Sequence, residues 1–206
     1  GGDLLGPLRR SLGERGGMGV QLVVDAGAKT KLVNGIFAFV RAAGNADRGT
    51  FGPGPFEKFE DFTLYDRCIT RGVLGSTLPV IYGNGMRIAQ NPGSVAISYE
   101  MIHDTRIIPL DNRPHLDAGI RQWMGNSRGR FEGETLVVET SNFTDQTSIG
   151  GNGNGTRHSE ALTLTERFTR VDPDMIEYIA TVDDPVTYTA PFTFRLMITT
   201  QPNYET

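Results

Sequence analysis

From Met86 to Thr200 the chain is cut into short runs of alternating apolar and polar residues, each ending on glycine, asparagine, aspartate or proline. A period of two places alternate side chains on one side of a β-strand, whereas a helix needs a period near 3.6. Leu162, Leu164, Glu166 and Phe168 share one face, as do Ile176, Tyr178, Ala180 and Val182, and again Phe192, Phe194, Leu196 and Ile198. The turn signals between runs are strong: Gly83-Asn84-Gly85, Asn91-Pro92-Gly93 and Asp172-Pro173-Asp174. Strands are predicted over 78–82, 86–90, 94–102, 105–110, 129–132, 134–142, 160–171, 175–182 and 192–200, with a short helix within 113–128. Consecutive strands joined by short hairpins form an antiparallel meander, and closing the meander removes its exposed edges. The expected fold is therefore mainly β, a meander closing into a lipocalin-like (calycin) barrel, with a β-sandwich as the alternative.

The first quarter of the chain reads differently. Residues 1–20 lack a clean period and read as an extended, Gly-rich arm. Over 28–43, Leu32, Val33, Ile36, Phe37 and Val40 recur at helical spacing, with Asp25 as a cap upstream and Gly44-Asn45 as a stop. A Gly/Pro linker over 47–55 separates an arm-plus-helix region, 1–50, from the β domain, 51–206. Residues 1–50 carry seven basic and four acidic side chains in a chain whose net charge is -4. The overall acidity argues against a nucleic-acid partner. The basic arm and the helix instead point to a protein partner or a membrane-associated complex, docked through residues 1–44. No apolar run approaches the ~18 residues that would cross a bilayer, and the opening Gly1-Gly2-Asp3 suggests a processed or truncated start.

Chemistry concentrates between Tyr99 and His115. Extended alternation puts Val95, Ile97, Tyr99, Met101 and His103 on one face, with His103 pointing inward. Glu166 points inward between Leu164 and Phe168, and ionisable groups inside a small barrel are costly unless paired or used. In the catalytic reading His103 is a general base, Glu166 or Asp104 orients it, and Arg106 holds an anion. Strict alternation sets Asp104 and Arg106 opposite His103, so those roles require a bend near Asp104. Tyr99, Arg106, His115 and Tyr178 are the candidate ligand-binding residues. The competing reading is a buried His103–Glu166 hydrogen bond with no catalytic purpose.

Other motifs are weak. His103, His115 and His158 lack metal-ligand spacing, so no metal site is expected, and nothing implies a cofactor. No G-x-S-x-G occurs, and the Gly150–Gly155 run lacks the strand-to-helix context of a phosphate loop. Trp123, the sole tryptophan, reads as packing from a connecting helix or as a binding anchor. Asn142-Phe143-Thr144 fits a glycosylation sequon. Cys68, the only cysteine, reads as a buried or half-paired structural thiol.

Several long runs occur together in order: Glu100-Met101-Ile102-His103-Asp104-Thr105-Arg106-Ile107-Ile108-Pro109-Leu110-Asp111, Arg113-Pro114-His115, Arg121-Gln122-Trp123, Glu134–Thr140 with Asn142–Asp145, and Glu166–Val171. From about Asp61 onward the chain resembles a family of uncharacterised exported bacterial proteins. The resemblance implies export to the periplasm or cell exterior. It also implies a cysteine-containing tail beyond Tyr204-Glu205, with which Cys68 would pair in an oxidising compartment. The leading expectation is an exported, non-catalytic accessory or ligand-binding domain. The alternative is a small-molecule hydrolase, lyase or isomerase using acid–base chemistry in the barrel mouth.

Overall fold

A computed structural model describes residues 18–19, 56–80, 83–150 and 156–200. The predicted helix over 28–43, the linker over 47–55 and most of the arm lie outside the described residues. Eleven strands are described: β1 (Met18–Gly19), β2 (Gly85–Asn91), β3 (Ser94–Tyr99), β4 (Thr105–Pro109), β5 (Asn126–Glu132), β6 (Thr135–Ser141), β7 (Ser148–Ile149), β8 (Thr156–Arg157), β9 (Thr163–Asp172), β10 (Met175–Asp183) and β11 (Phe192–Thr200). Nine of them form one sheet in the order β4-β3-β2-β1-β11-β10-β9-β6-β5, and β7 pairs with β8 separately. Every strand pairing is antiparallel, so the mainly β, antiparallel reading holds.

β1 is the one described part of the arm. Met18 pairs with Met86 on one side and with Thr200 on the other. This short strand joins β4-β3-β2 to β11-β10-β9-β6-β5, which would otherwise be two sheets.

The alternation in the sequence sets the two faces. Val95, Ile97, Leu164, Phe168, Ile176, Tyr178, Val182, Phe194, Leu196 and Ile198 are all buried in one apolar cluster. The outer face carries exposed ion pairs, Arg130 with Glu132 and Glu139, Arg167 with Glu132, and Arg195 with Glu177. Pairs of this kind add little stability, about 0–1 kcal/mol each, but they keep that surface polar.

Three expectations are corrected. Of the strand predicted over 78–82, residues 78–80 form no strand and 81–82 lie outside the described residues; a short helix, α1 (Val73–Thr77), whose residues are all buried, lies just upstream. It fills space against the sheet, and Val73, Leu74 and Leu78 belong to the central apolar cluster. No helix forms within 113–128, where the chain runs as turns and extended backbone. The strand predicted over 94–102 stops at Tyr99, because Ile102 and His103 take left-handed conformations (φ 64° and 58°) and reverse the chain. The Tyr99 N–H then donates to the Asp104 carbonyl at 2.9 Å. This hairpin resets the alternation, so Arg106 and Ile108 of β4 point inward while Thr105 and Ile107 are exposed.

The sheet curls strongly. Its first strand, β4, and its last, β5, are not paired to each other among the described strands, so hydrogen bonds do not close a barrel. The two edges nonetheless approach at Gly129, where an added Cβ would lie 2.7 Å from Ile108 Cγ2 and 2.9 Å from Leu110 Cδ2. Glycine at 129 is what allows that approach. Replacing Gly129 by valine should destabilise the fold by about 1–3 kcal/mol through overpacking, measured as a lowered midpoint in urea unfolding. An unchanged midpoint would show that the β4 and β5 edges are not held together there.

Candidate functional site

The inward residue of β4 and the inward residue of β9 meet across the curled sheet. Arg106 Nη1 donates to Glu166 Oε2 at 2.5 Å and Nη2 donates to Oε1 at 3.0 Å, a two-pronged ion pair with both side chains buried. Tyr178 on β10 donates its hydroxyl to Glu166 Oε1 at 2.9 Å. Tyr99, buried on β3, lies near both charges, and its hydroxyl meets Thr77 Oγ1 of α1 at 3.3 Å. Burial favours neutral Arg106, but the Glu166 charge and its hydrogen bonds outweigh that and raise the guanidinium above its ordinary range. Burial first, and then the Glu166 charge, push the Tyr178 phenol well above its usual value. The Arg106 guanidinium therefore stays charged, and the Tyr178 phenol neutral, near neutral pH.

The sequence-predicted residues separate into two groups. Tyr99, Arg106, Glu166 and Tyr178 come together as a buried internal network. His103 stands exposed in the β3–β4 turn and shares no hydrogen bond with Glu166, whose carboxylate is held by Arg106 and Tyr178. The inward placement of His103 assumed that the strand continued through it, and the reversal at Ile102-His103 removes that premise. Arg106 does hold an anion, and the anion is Glu166. His115 sits half-buried in the exposed loop after β4, which Arg128 anchors by donating to the carbonyls of Arg113 and Pro114. It has no hydrogen-bonded place in the network.

Two further expectations change. Cys68 is a free, exposed thiol in a left-handed conformation (φ 54°), so its predicted burial does not hold. Asn142 is buried, and its Nδ2 donates to the carbonyls of Leu116, Asp117 and Ile120 at 3.2, 2.8 and 3.1 Å, which rules it out as a glycan acceptor in the folded chain. Among the described residues no group of histidine, cysteine and carboxylate side chains is placed to hold a metal.

Space for a ligand lies where β4 and β5 part above Gly129. A cleft of about 300 Å³ opens there, lined by Thr70, Asp104 to Ile107 and Gln122 to Ser127. Asn142 builds its far wall. Its carbonyl accepts the Gln122 N–H at 2.9 Å, Thr144 N–H returns to the Gln122 carbonyl at 3.1 Å, and the side-chain amide clamps 116–120. Gly125 packs so closely that a Cβ would lie 2.7 Å from Thr140 Cγ2 and 2.8 Å from both Phe143 Cε1 and the Ser141 carbonyl oxygen. It also has φ 64°, so glycine is required twice over. These contacts hold Trp123 at the mouth of the cleft with 43% of its surface exposed. Neither the clamp nor the glycine is visible in the sequence, where Asn142 falls in a sequon and Trp123 reads as helix packing or as a binding anchor.

Inside the cleft, Asp104 is the ionisable group without a salt bridge among the described residues. Burial raises its carboxyl above the usual range, opposed by a hydrogen bond from Thr70. One carboxylate oxygen of Asp104 and the Nε of Arg106 are both shielded from solvent and lack a hydrogen-bond partner.

A second buried polar pair lies outside the cleft. Nδ1 of His158 sits 3.0 Å from the Ser159 carbonyl oxygen, which only accepts, so Nδ1 carries the proton and Nε2 accepts the Thr147 hydroxyl at 2.7 Å. Burial holds the His158 imidazole below its ordinary value. The space between these residues and the surrounding Val73, Phe143 and Leu162 is about 10 Å³, too small for a substrate.

Replacing Arg106 by methionine should cost about 3–5 kcal/mol in urea unfolding, because it strands a buried carboxylate. Arg106→Met combined with Glu166→Leu should recover most of that loss. Equal destabilisation by the double variant would show that the pair itself adds no coupling. The His158 imidazole binds protons more weakly in the folded chain than in the unfolded one. Its contribution to stability is therefore complete above the unfolded value of about 6.5 and lost as the pH falls below it. His158→Phe should flatten that part of the stability–pH curve; an unaltered slope would remove His158 as its source.

Comparison with protein-family models, with curated proteins and with solved structures gives no match to this chain in any of the three.

Proposed function

We propose that this chain is an exported, non-catalytic ligand-binding or accessory module, acting on the periplasmic side of a bacterial membrane. The observation that carries the reading is the cleft between β4 and β5, a preformed concavity of ligand size with an exposed tryptophan at its mouth. We take the curled sheet to be a calycin-like barrel left open along one seam, and the seam, not the interior, to be its binding feature. Apolar side chains and α1 pack inside the curl, and we take the seam as the docking place. Residues 1–44, apart from the short strand β1, supply the candidate surface for a protein or membrane-associated partner. The resemblance to exported proteins supports the location.

Asp104 favours a second reading. A half-buried carboxyl raised by desolvation is suited to act as a general acid. Enzymatic acid–base chemistry in this chain would therefore centre on Asp104 and not on a His103–Glu166 couple. A partner group of matching role is not evident in the cleft, so binding is preferred.

The test is to recover the full-length protein, gently extracted from its own cell envelope, and measure its native mass and composition. The expected result is an envelope-side species in stoichiometric association with a protein partner or carrying a bound small molecule. Recovery as a ligand-free monomer from the cytosol would overturn the proposal.

A further inference from the structure

One wall of the cleft is a sheet edge. β4 pairs with β3 alone among the described strands. In an antiparallel pair, alternate residues turn their N–H and C=O groups to the partner strand, and the residues between turn theirs away. Tyr99 N–H donates to the Asp104 carbonyl and Leu110 N–H to the Gly93 carbonyl, with an unbroken register between them. Residues 104, 106, 108 and 110 therefore face β3. The N–H and C=O groups of Thr105 and Ile107 point the other way, toward the cleft that both residues line. Two donors and two acceptors thus stand at the ~7 Å repeat of a strand, and no described strand meets them.

Open edges are commonly blunted by a charged side chain, a proline or a bulge. On β4 the proline, Pro109, comes only at the end, and the register with β3 has no bulge. The charged residue, Arg106, points inward and is held by Glu166. The outward side chains, Thr105 and Ile107, are β-branched and uncharged, and Ile107 is 57% exposed. This edge is also recessed: Gln122 to Ser127 line the cleft with Asp104 to Ile107. A single extended chain is narrow enough to lie in such a recess, whereas the edge of a second sheet brings its own neighbouring strands with it. An extended backbone also carries N–H and C=O groups at the same repeat, so it meets all four groups of Thr105 and Ile107 in register. We infer that the cleft between β4 and β5 docks an extended segment of a partner protein, which adds to β4 as a strand through the backbone of Thr105 and Ile107. Alternate side chains of that segment cover Ile107 and Trp123, the exposed apolar groups of the cleft. This inference rests on the accessory reading above and places part of the partner's contact on the β domain.

Trp123 is the sole tryptophan of the chain, so its emission in the full-length protein reports on this cleft. The probes are tryptophan-free heptapeptides selected from a displayed random library on the immobilised full chain, then resynthesised with N-methyl groups on one or the other set of alternate residues. Saturable change in Trp123 emission is expected with the unmodified peptides. One methylated set should bind about tenfold or more weakly, having lost its backbone donors to Thr105 and Ile107, and the other set should lose less. Amide hydrogen exchange should be fast at Thr105 and Ile107 in the free chain and slow in the complex, whereas Arg106 and Ile108 are slow in both. Ile107→Lys, an exposed change that leaves the Arg106–Glu166 pair intact, should weaken binding similarly without lowering the urea midpoint. Equal binding by both methylated sets and the unmodified peptide, or unslowed Thr105 and Ile107 amides, would overturn strand addition while leaving a binding cleft. Self-association of the free chain that Ile107→Lys abolishes would overturn the occupant, putting a second copy on the edge. A library that yields no binder would overturn the docking site itself; the envelope extraction then judges the accessory reading independently.

Discussion

The structure depends on a buried ion pair between the first and the seventh strand of one sheet. Arg106 and Glu166 lie far apart along the strand order β4-β3-β2-β1-β11-β10-β9-β6-β5, and they meet because the sheet curls until its inward faces oppose each other. Two ions taken out of water recover their desolvation cost only in good geometry with the remaining valences satisfied. Both Glu166 oxygens accept from Arg106, and Tyr178 adds a third hydrogen bond. A shift of β4 by one residue would turn Arg106 outward and leave Glu166 stranded in an apolar interior. The pair therefore specifies the register of the curl as well as contributing to its stability.

That curl also produces the cleft. The edges of β4 and β5 come into contact where residue 129 has no side chain, and they separate toward Thr105 and Ser127. An unpaired sheet edge invites association with another chain. Here the turn-rich segment 116–125, clamped by Asn142 and fitted through Gly125, lies beside the gap. The same clamp presents Trp123 to solvent. The wall beside the gap and the placement of Trp123 are thus one arrangement, resting on the buried amide of Asn142.

The β1 strand ties the arm region into this architecture. Residues 18 and 19 pair on both sides, to β2 and to β11, so this part of the extended arm is the bridge of the sheet at that point. Its role is to supply the hydrogen-bond partners that β2 and β11 would otherwise lack.

Much of the fold was legible, because a period of two is a local property. It identified the faces of β3, β9, β10 and β11, and it put Glu166, Tyr99 and Tyr178 inside. It failed at Ile102-His103, where two residues in left-handed conformations reversed the chain with no glycine to signal it. One missed turn moved His103 from the interior to the surface and brought Arg106 inward in its place. The sequence by itself determined which side chains of β3, β9, β10 and β11 face the core and that an inward carboxylate needs a partner. Only the tertiary structure decided that the partner is Arg106 and that the site is a seam lined by residues from 70 to 127. Alternation is set by neighbouring residues, whereas the opposition of strands across a curled sheet depends on register and closure summed over the whole chain.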